Sequence, residues 1–155
     1  MSEHNDRAGV KVHPPVLALI HIAIAYVAKW WAPIPFVVPD VLRLMGFSLV
    51  VIGFVLGVAA LIAFRKARTT LDPHGQASAL VTDGMYRFTR NPIYLGFLLM
   101  LIGLPLNGGS YWGILLAPVF VMSMNRLVIE REEAYLETKF KDQYTGYKSR
   151  VRRWL

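Results

Sequence analysis

A chain of 155 residues that is 55 % hydrophobic, with a mean hydropathy of +0.42, has the length of one domain and too much apolar sequence for an ordinary soluble fold. It contains no cysteine, which excludes disulfides, thiolate catalysis and cysteine metal sites. Its four histidines (His4, His13, His21, His74) lack metal-ligand spacing, and in so apolar a chain a formal charge of +7 reports topology and attraction to anionic head groups rather than nucleic acid.

In chain order, residues 1–13 are polar. The first apolar block runs over 16–31, between Pro14-Pro15 and the interface-type anchors Lys29, Trp30 and Trp31. It ends in Trp-Trp and proline-rich sequence rather than a small-residue cleavage site, so it reads as a retained span and not a signal peptide. His21 inside it reads as a histidine packed against a neighbouring helix. After Pro33, Pro35 and Pro39 the longest block, 41–64, carries only Arg43 and is long enough to cross a bilayer with tilt. Its Gly53 and Gly57 have the small-xxx-small spacing that lets helices approach closely.

The polar connection 65–90 contains the turn Asp72-Pro73-His74-Gly75, with His74 exposed in it, and a short apolar piece at Ala77 to Val81. Asn91-Pro92 is a helix start: Asn offers a capping side-chain oxygen, and Pro at the first helical position gives up an N–H that has no partner there. The helix predicted over 92–106 is followed by a turn through Pro105 to Ser110, and a returning helix over 111–129 is expected to kink at Pro118. From Asn125 onward an amphipathic helix grows out of the last span, and the tail 130–155 alternates aromatics with cations. The expected fold is all-α: a single domain, 1–155, with four membrane spans. Of the 17 Lys and Arg only Lys29 and Arg43 fall on one side of such a bundle, so both termini are expected in the cytoplasm, in the cytoplasmic membrane.

No apolar block holds Asp or Glu at its centre, which counts against a proton-coupled four-span transporter; a non-catalytic membrane adaptor is the other alternative. The polar groups gather instead in two stretches that the hairpin returns to the same membrane face. In the first, Arg90 and the free N–H groups of a helix start suit a carboxylate or phosphate, and Tyr86, Phe88 and Tyr94 suit a flat heterocycle or a cation. In the second, Glu130, Glu132 and Glu133 offer partners for ribose hydroxyls or an amine, or form with Arg126 a solvated i,i+4 face.

The run Gly84-Met85-Tyr86-Arg87-Phe88-Thr89-Arg90-Asn91-Pro92-Ile93-Tyr94-Leu95-Gly96 resembles the first signature of the membrane methyltransferases, the superfamily that joins isoprenylcysteine carboxyl methyltransferases with phospholipid methyltransferases. The tail from Ile129-Glu130-Arg131-Glu132-Glu133 is similar to the second. The resemblance implies S-adenosylmethionine as cofactor, bound by Tyr86, Arg90, Asn91, Tyr94, Gly96, Glu132 and Glu133. It implies Arg126 and Glu130 as the residues that orient a lipophilic methyl acceptor: a prenylcysteine-like carboxylate, a lipid amine or a small hydrophobic metabolite. Asn91 stands where the isoprenylcysteine enzymes have His.

Overall fold

The computed structural model describes residues 9–10, 12–69 and 78–155; the expected turn at Asp72 to Gly75 lies outside them. Every regular element among the described residues is helical: α1 (Pro14–Trp31), α2 (Asp40–Lys66), α3 (Pro92–Asn107), α4 (Trp112–Met124) and α5 (Glu130–Lys148). A 3₁₀ turn, Gly84–Arg87, precedes α3, and a π-helical turn, Asn125–Ile129, joins α4 to α5 in one continuous rod. α1, α2 and this rod are long and apolar enough to cross a membrane; α3 is apolar but shorter, at 16 residues. On α2, Leu44, Phe47, Val51, Phe54 and Val55 are all exposed, an outer surface that suits hydrocarbon rather than water.

α3 is the central element, with α2 on it and α1 and α4 packed against it and each other. The α2–α3 contact is made backbone to backbone. A Cβ on Gly53 would stand 2.6 Å from Gly96 O, and one on Gly103 would stand 2.5 Å from Gly46 O. The meeting glycines are therefore Gly46 and Gly53 on α2 with Gly96 and Gly103 on α3, each pair two turns apart. Gly57, expected to pair with Gly53, has nothing within 4 Å of its Cβ position.

α3 runs through Pro105 to Asn107 instead of turning there. Proline cannot donate to Leu101 O, and α4 closes on that carbonyl through Gly113, where a Cβ would collide with it. α4 likewise continues through Pro118, and the departure from α geometry comes at the π turn. At the end of the bundle away from Arg90, side chains tie two helix-end carbonyls, Lys29 Nζ donating to Gly108 O (2.7 Å) and Trp112 Nε1 to Ala32 O (2.9 Å), and Asn107 Nδ2 donates to Arg43 O in the first turn of α2 (3.1 Å). His21 is the packed histidine that was expected. Its Nδ1–H donates to Leu17 O (2.9 Å) and its ring lies edge-on to Phe120, 5.4 Å between centroids.

Candidate functional site

The opposite end is built around the first turn of α3. Asn91 stands at the N-cap but does not cap with its side chain. Its Nδ2 donates outward to Arg153 O (2.8 Å), and Thr89 Oγ1 accepts from Asn91 N–H instead (3.1 Å). The C-terminal strap, residues 149–155, lies across this start: Arg90 N–H donates to Arg152 O (2.9 Å) and Thr89 Oγ1–H to Arg153 O (3.3 Å). Ile93 and Tyr94, in the first turn, carry N–H groups for which the helix itself has no acceptor.

Arg90 points inward, its side chain only 10 % exposed. Nη2 pairs with Glu133 Oε1 at 3.2 Å and Nη1 donates to Tyr144 OH at 3.4 Å. Its Nε is buried without a partner, the only such side-chain polar atom among the described residues. Glu133, 8 % exposed, also accepts two hydrogen bonds from Arg153, from Nε (2.9 Å) and Nη2 (2.7 Å), and Lys148 Nζ stands 3.7 Å away. Three cations thus surround one carboxylate, with Glu137 drawing on Lys148 from outside (2.5 Å).

A tyrosine layer closes over these charges. α5 breaks at Lys141 (φ 44°, ψ −123°), and beyond the break Tyr144 and Tyr147 are buried. Tyr147 OH donates to Tyr86 O (2.6 Å), and Tyr86 lies edge-on to Phe64 of α2. Burial raises the pKa of Tyr86, Tyr144 and Tyr147, so all three remain neutral phenols. Tyr94 OH donates to Glu132 Oε1 at 2.6 Å.

Burial raises the Glu132 carboxyl to about 7; the hydrogen bond from Tyr94 opposes the rise and the Glu133 charge adds to it. Glu132 follows the apolar part of the rod. A carboxyl raised above its ordinary value of 4.5 favours folding fully below that value and loses the contribution as pH climbs through about 7. The wild type is therefore expected to lose more stability than Glu132→Gln between about pH 5 and 8, read from thermal melts in detergent. Parallel melting curves for the two proteins count against a raised Glu132.

Of the residues expected at the site, Tyr86, Arg90, Asn91, Tyr94, Glu132 and Glu133 come together. Gly96 does not join them, because its bare Cα lies against the Gly53 backbone. Phe88 is 70 % exposed and stands outside the aromatic layer. Arg126 and Glu130 are exposed too, and the structure does not bring them into the buried cluster. Sequence reasoning missed Thr89, Tyr144, Tyr147, Lys148 and Arg153. For the four in the tail the alternation of aromatics and cations was the signal, but it reads equally as a membrane-surface helix; Thr89 lay inside the first signature run without a residue-type cue.

The fold and the site together define an integral membrane protein with a buried, cation-rich site at one end of its helical bundle. The chain belongs to the phospholipid methyltransferase family, whose match covers residues 41–143. It is 44 % identical over 63 residues to an uncharacterized protein of Haemophilus influenzae, 41 % of this chain and all of that one. It is 36 % identical over 72 residues to the protein-S-isoprenylcysteine O-methyltransferase of Schizosaccharomyces pombe, 46 % of this chain and 30 % of that one. It is 31 % identical over 111 residues to protein-S-isoprenylcysteine O-methyltransferase B of Arabidopsis thaliana, 68 % of this chain and 55 % of that one. The alignments thus span about a third and about half of the two named methyltransferases. No solved structure matches the chain significantly.

Proposed function

We propose that this chain is an integral membrane methyltransferase that uses S-adenosylmethionine and methylates a lipophilic acceptor at the cytoplasmic face of the membrane. The observation that carries the reading is the buried, unpartnered Nε of Arg90 beside the first turn of α3. A buried guanidinium N–H without an acceptor is costly, and an anionic ligand oxygen removes the cost. Arg90 and the N–H groups of Ile93 and Tyr94 would hold the donor's carboxylate. The tyrosine rings of Tyr86 and Tyr94 suit its adenine or its sulfonium charge. Glu132 is the carboxylate left for ribose hydroxyls, since Glu133 is engaged by Arg90 and Arg153.

When bound, the sulfonium supplies an electrophilic methyl group. The chain's own contribution is placement and the exclusion of water by Tyr144, Tyr147 and the strap. An acceptor with a hydrocarbon tail keeps the tail in the bilayer while its head meets the rim. The names of two relatives favour a prenylcysteine-like carboxylate, and the family name favours a lipid amine. The surplus of Lys and Arg at this end supports a cytoplasmic rim and cytoplasmic termini.

Arg90→Lys keeps a cation for Glu133 but loses the Nε donor. A hydrogen bond to a charged group contributes about 1.5–3 kcal/mol, so the Kd for S-adenosylhomocysteine is expected to rise about ten- to hundredfold. Calorimetry in detergent reads it, and equal affinity in the two proteins overturns the site. Transfer of radiolabelled methyl into a lipid extract then identifies the acceptor.

A further inference from the structure

The α4–α5 rod changes rotational register at its π turn. Up to Val128, within the turn, Gly113, Phe120, Met124 and Val128 form the buried stripe at helical spacing; from Ile129, the last residue of the turn, Ile129 and Glu133 do. Val128 and Ile129, neighbours about 100° apart around an α-helix, are both fully buried, the mark of one inserted residue. In an uninterrupted α-helix the stripe would pass from Val128 to Arg131 and Glu132, and Glu133 would swing about 100° off it. With the wide turn, Glu133 faces Arg90 at 3.2 Å and Glu132 meets Tyr94 OH at 2.6 Å. The start of α3 falls between two adjacent glutamates.

Two bonds hold the turn in place. Trp154 Nε1 donates to Asn125 Oδ1 (3.1 Å) at its first residue, and Arg131 Nη1 donates to Gly9 O (3.1 Å) just beyond its last. Trp154 ends the same strap whose Arg152 and Arg153 carbonyls hold residues 89–91 and whose Arg153 guanidinium holds Glu133. One segment therefore fixes both partners, the start of α3 and the rotation of α5.

We propose that Asn125 and Trp154 are positioning residues: their hydrogen bond holds the π turn that sets Glu132 and Glu133 on either side of the start of α3. The consequence for donor affinity rests on the methyl-donor reading above; the geometric claim does not. Because the chain has no cysteine, Tyr94→Cys/Glu132→Cys gives a clean background for a short bis-maleimide cross-link. The pair is expected to cross-link in an otherwise unchanged chain and in Asn125→Asp, which keeps the oxygen that accepts from Trp154. Deleting Leu127 closes the wide turn and should abolish the cross-link. Trp154→Phe, which loses the donor together with part of the ring packed on the core, and Asn125→Leu, which removes the acceptor and leaves the indole in place, should each lower its yield several-fold.

In the same backgrounds without the cysteines, Trp154→Phe should weaken S-adenosylhomocysteine binding about tenfold and Asn125→Asp should not. Should the deletion fail to fold, Trp154→Phe and Asn125→Leu carry the test. Full cross-linking in a folded deletion chain, in Trp154→Phe or in Asn125→Leu overturns the proposal. If the cross-link behaves as expected while the unsubstituted protein does not bind S-adenosylhomocysteine, the register device stands and the methyl-donor reading falls.

Discussion

Replacing Glu133 with alanine is expected to destabilise the protein by about 3–5 kcal/mol, the range for removing one partner of a buried ion pair. The loss comes chiefly from what stays behind. Arg90, with a side chain 10 % exposed, cannot turn to water, and its Nε already lacks a partner. Arg153, 30 % exposed, can rehydrate in part, so its share is smaller. Lys148 keeps Glu137. Glu133→Gln, which retains an acceptor of the same shape, should lie between alanine and the wild type. The double substitution Arg90→Met/Glu133→Leu should recover most of the loss, because an apolar pair of similar volume avoids the desolvation cost. Thermal melts in detergent read all four proteins. A Glu133→Ala midpoint equal to the wild type's contradicts a buried hub at this position, and failure of the double substitution to recover assigns the loss to packing instead of charge.

The parts of this molecule that were legible in the sequence are those set by composition and local chemistry. Each of the four apolar blocks coincides with a helix, because a run without charge leaves the backbone no partner but itself in hydrocarbon. The two polar stretches could be brought together on paper because the hairpin between them returns the chain, and Arg90 and Glu133 do meet. What was not legible depends on rotation about helix axes. Gly53 has Gly57 one turn away and Gly46 two turns away, and spacing alone does not say which glycine faces a partner; the partner's own Gly96 and Gly103 decide it. Gly96 entered the expected site through the resemblance alone, which does not say whether a glycine serves a ligand or a neighbouring helix. The π turn has no signature in Asn125-Arg126-Leu127-Val128-Ile129, so the sequence left open whether Arg126 and Glu130 join the site or form a solvated face, and both are exposed. Asn91 looked like a cap because its type caps helices, but its Nδ2 donates to Arg153 O, far along the chain, and its oxygen does not cap the local N–H groups.

Valine at Gly53 or at Gly96 is expected to leave little folded protein, and alanine at either to lower stability markedly. The first Cβ atom on Gly53 would lie 2.6 Å from Gly96 O, and the one on Gly96 would lie 2.7 Å from Gly53 O. Neither neighbour is a flexible side chain that can give way, so α2 and α3 must move apart. Overpacking a core costs about 1–3 kcal/mol even where side chains can adjust, and a backbone obstacle lies at the upper end or beyond. Separation also undoes the Gly46–Gly103 approach and draws Ala60 and Phe64 away from Tyr86, which removes one wall of the site. Gly57→Ala is the control within the same helix. Its Cβ meets nothing within 4 Å, and alanine exceeds glycine as a helix former by about 1 kcal/mol. It should therefore match or exceed the wild type in melting temperature and in the fraction eluting as a single species in detergent. A Gly57→Ala protein that melts as low as Gly53→Ala would mean that propensity or lipid contact sets the response. If only Gly53, Gly96 and their two-turn partners are sensitive, close backbone approach holds α2 on α3. Hydrocarbon supplies no hydrophobic drive between helices, so that approach is what keeps the wall of the site in place.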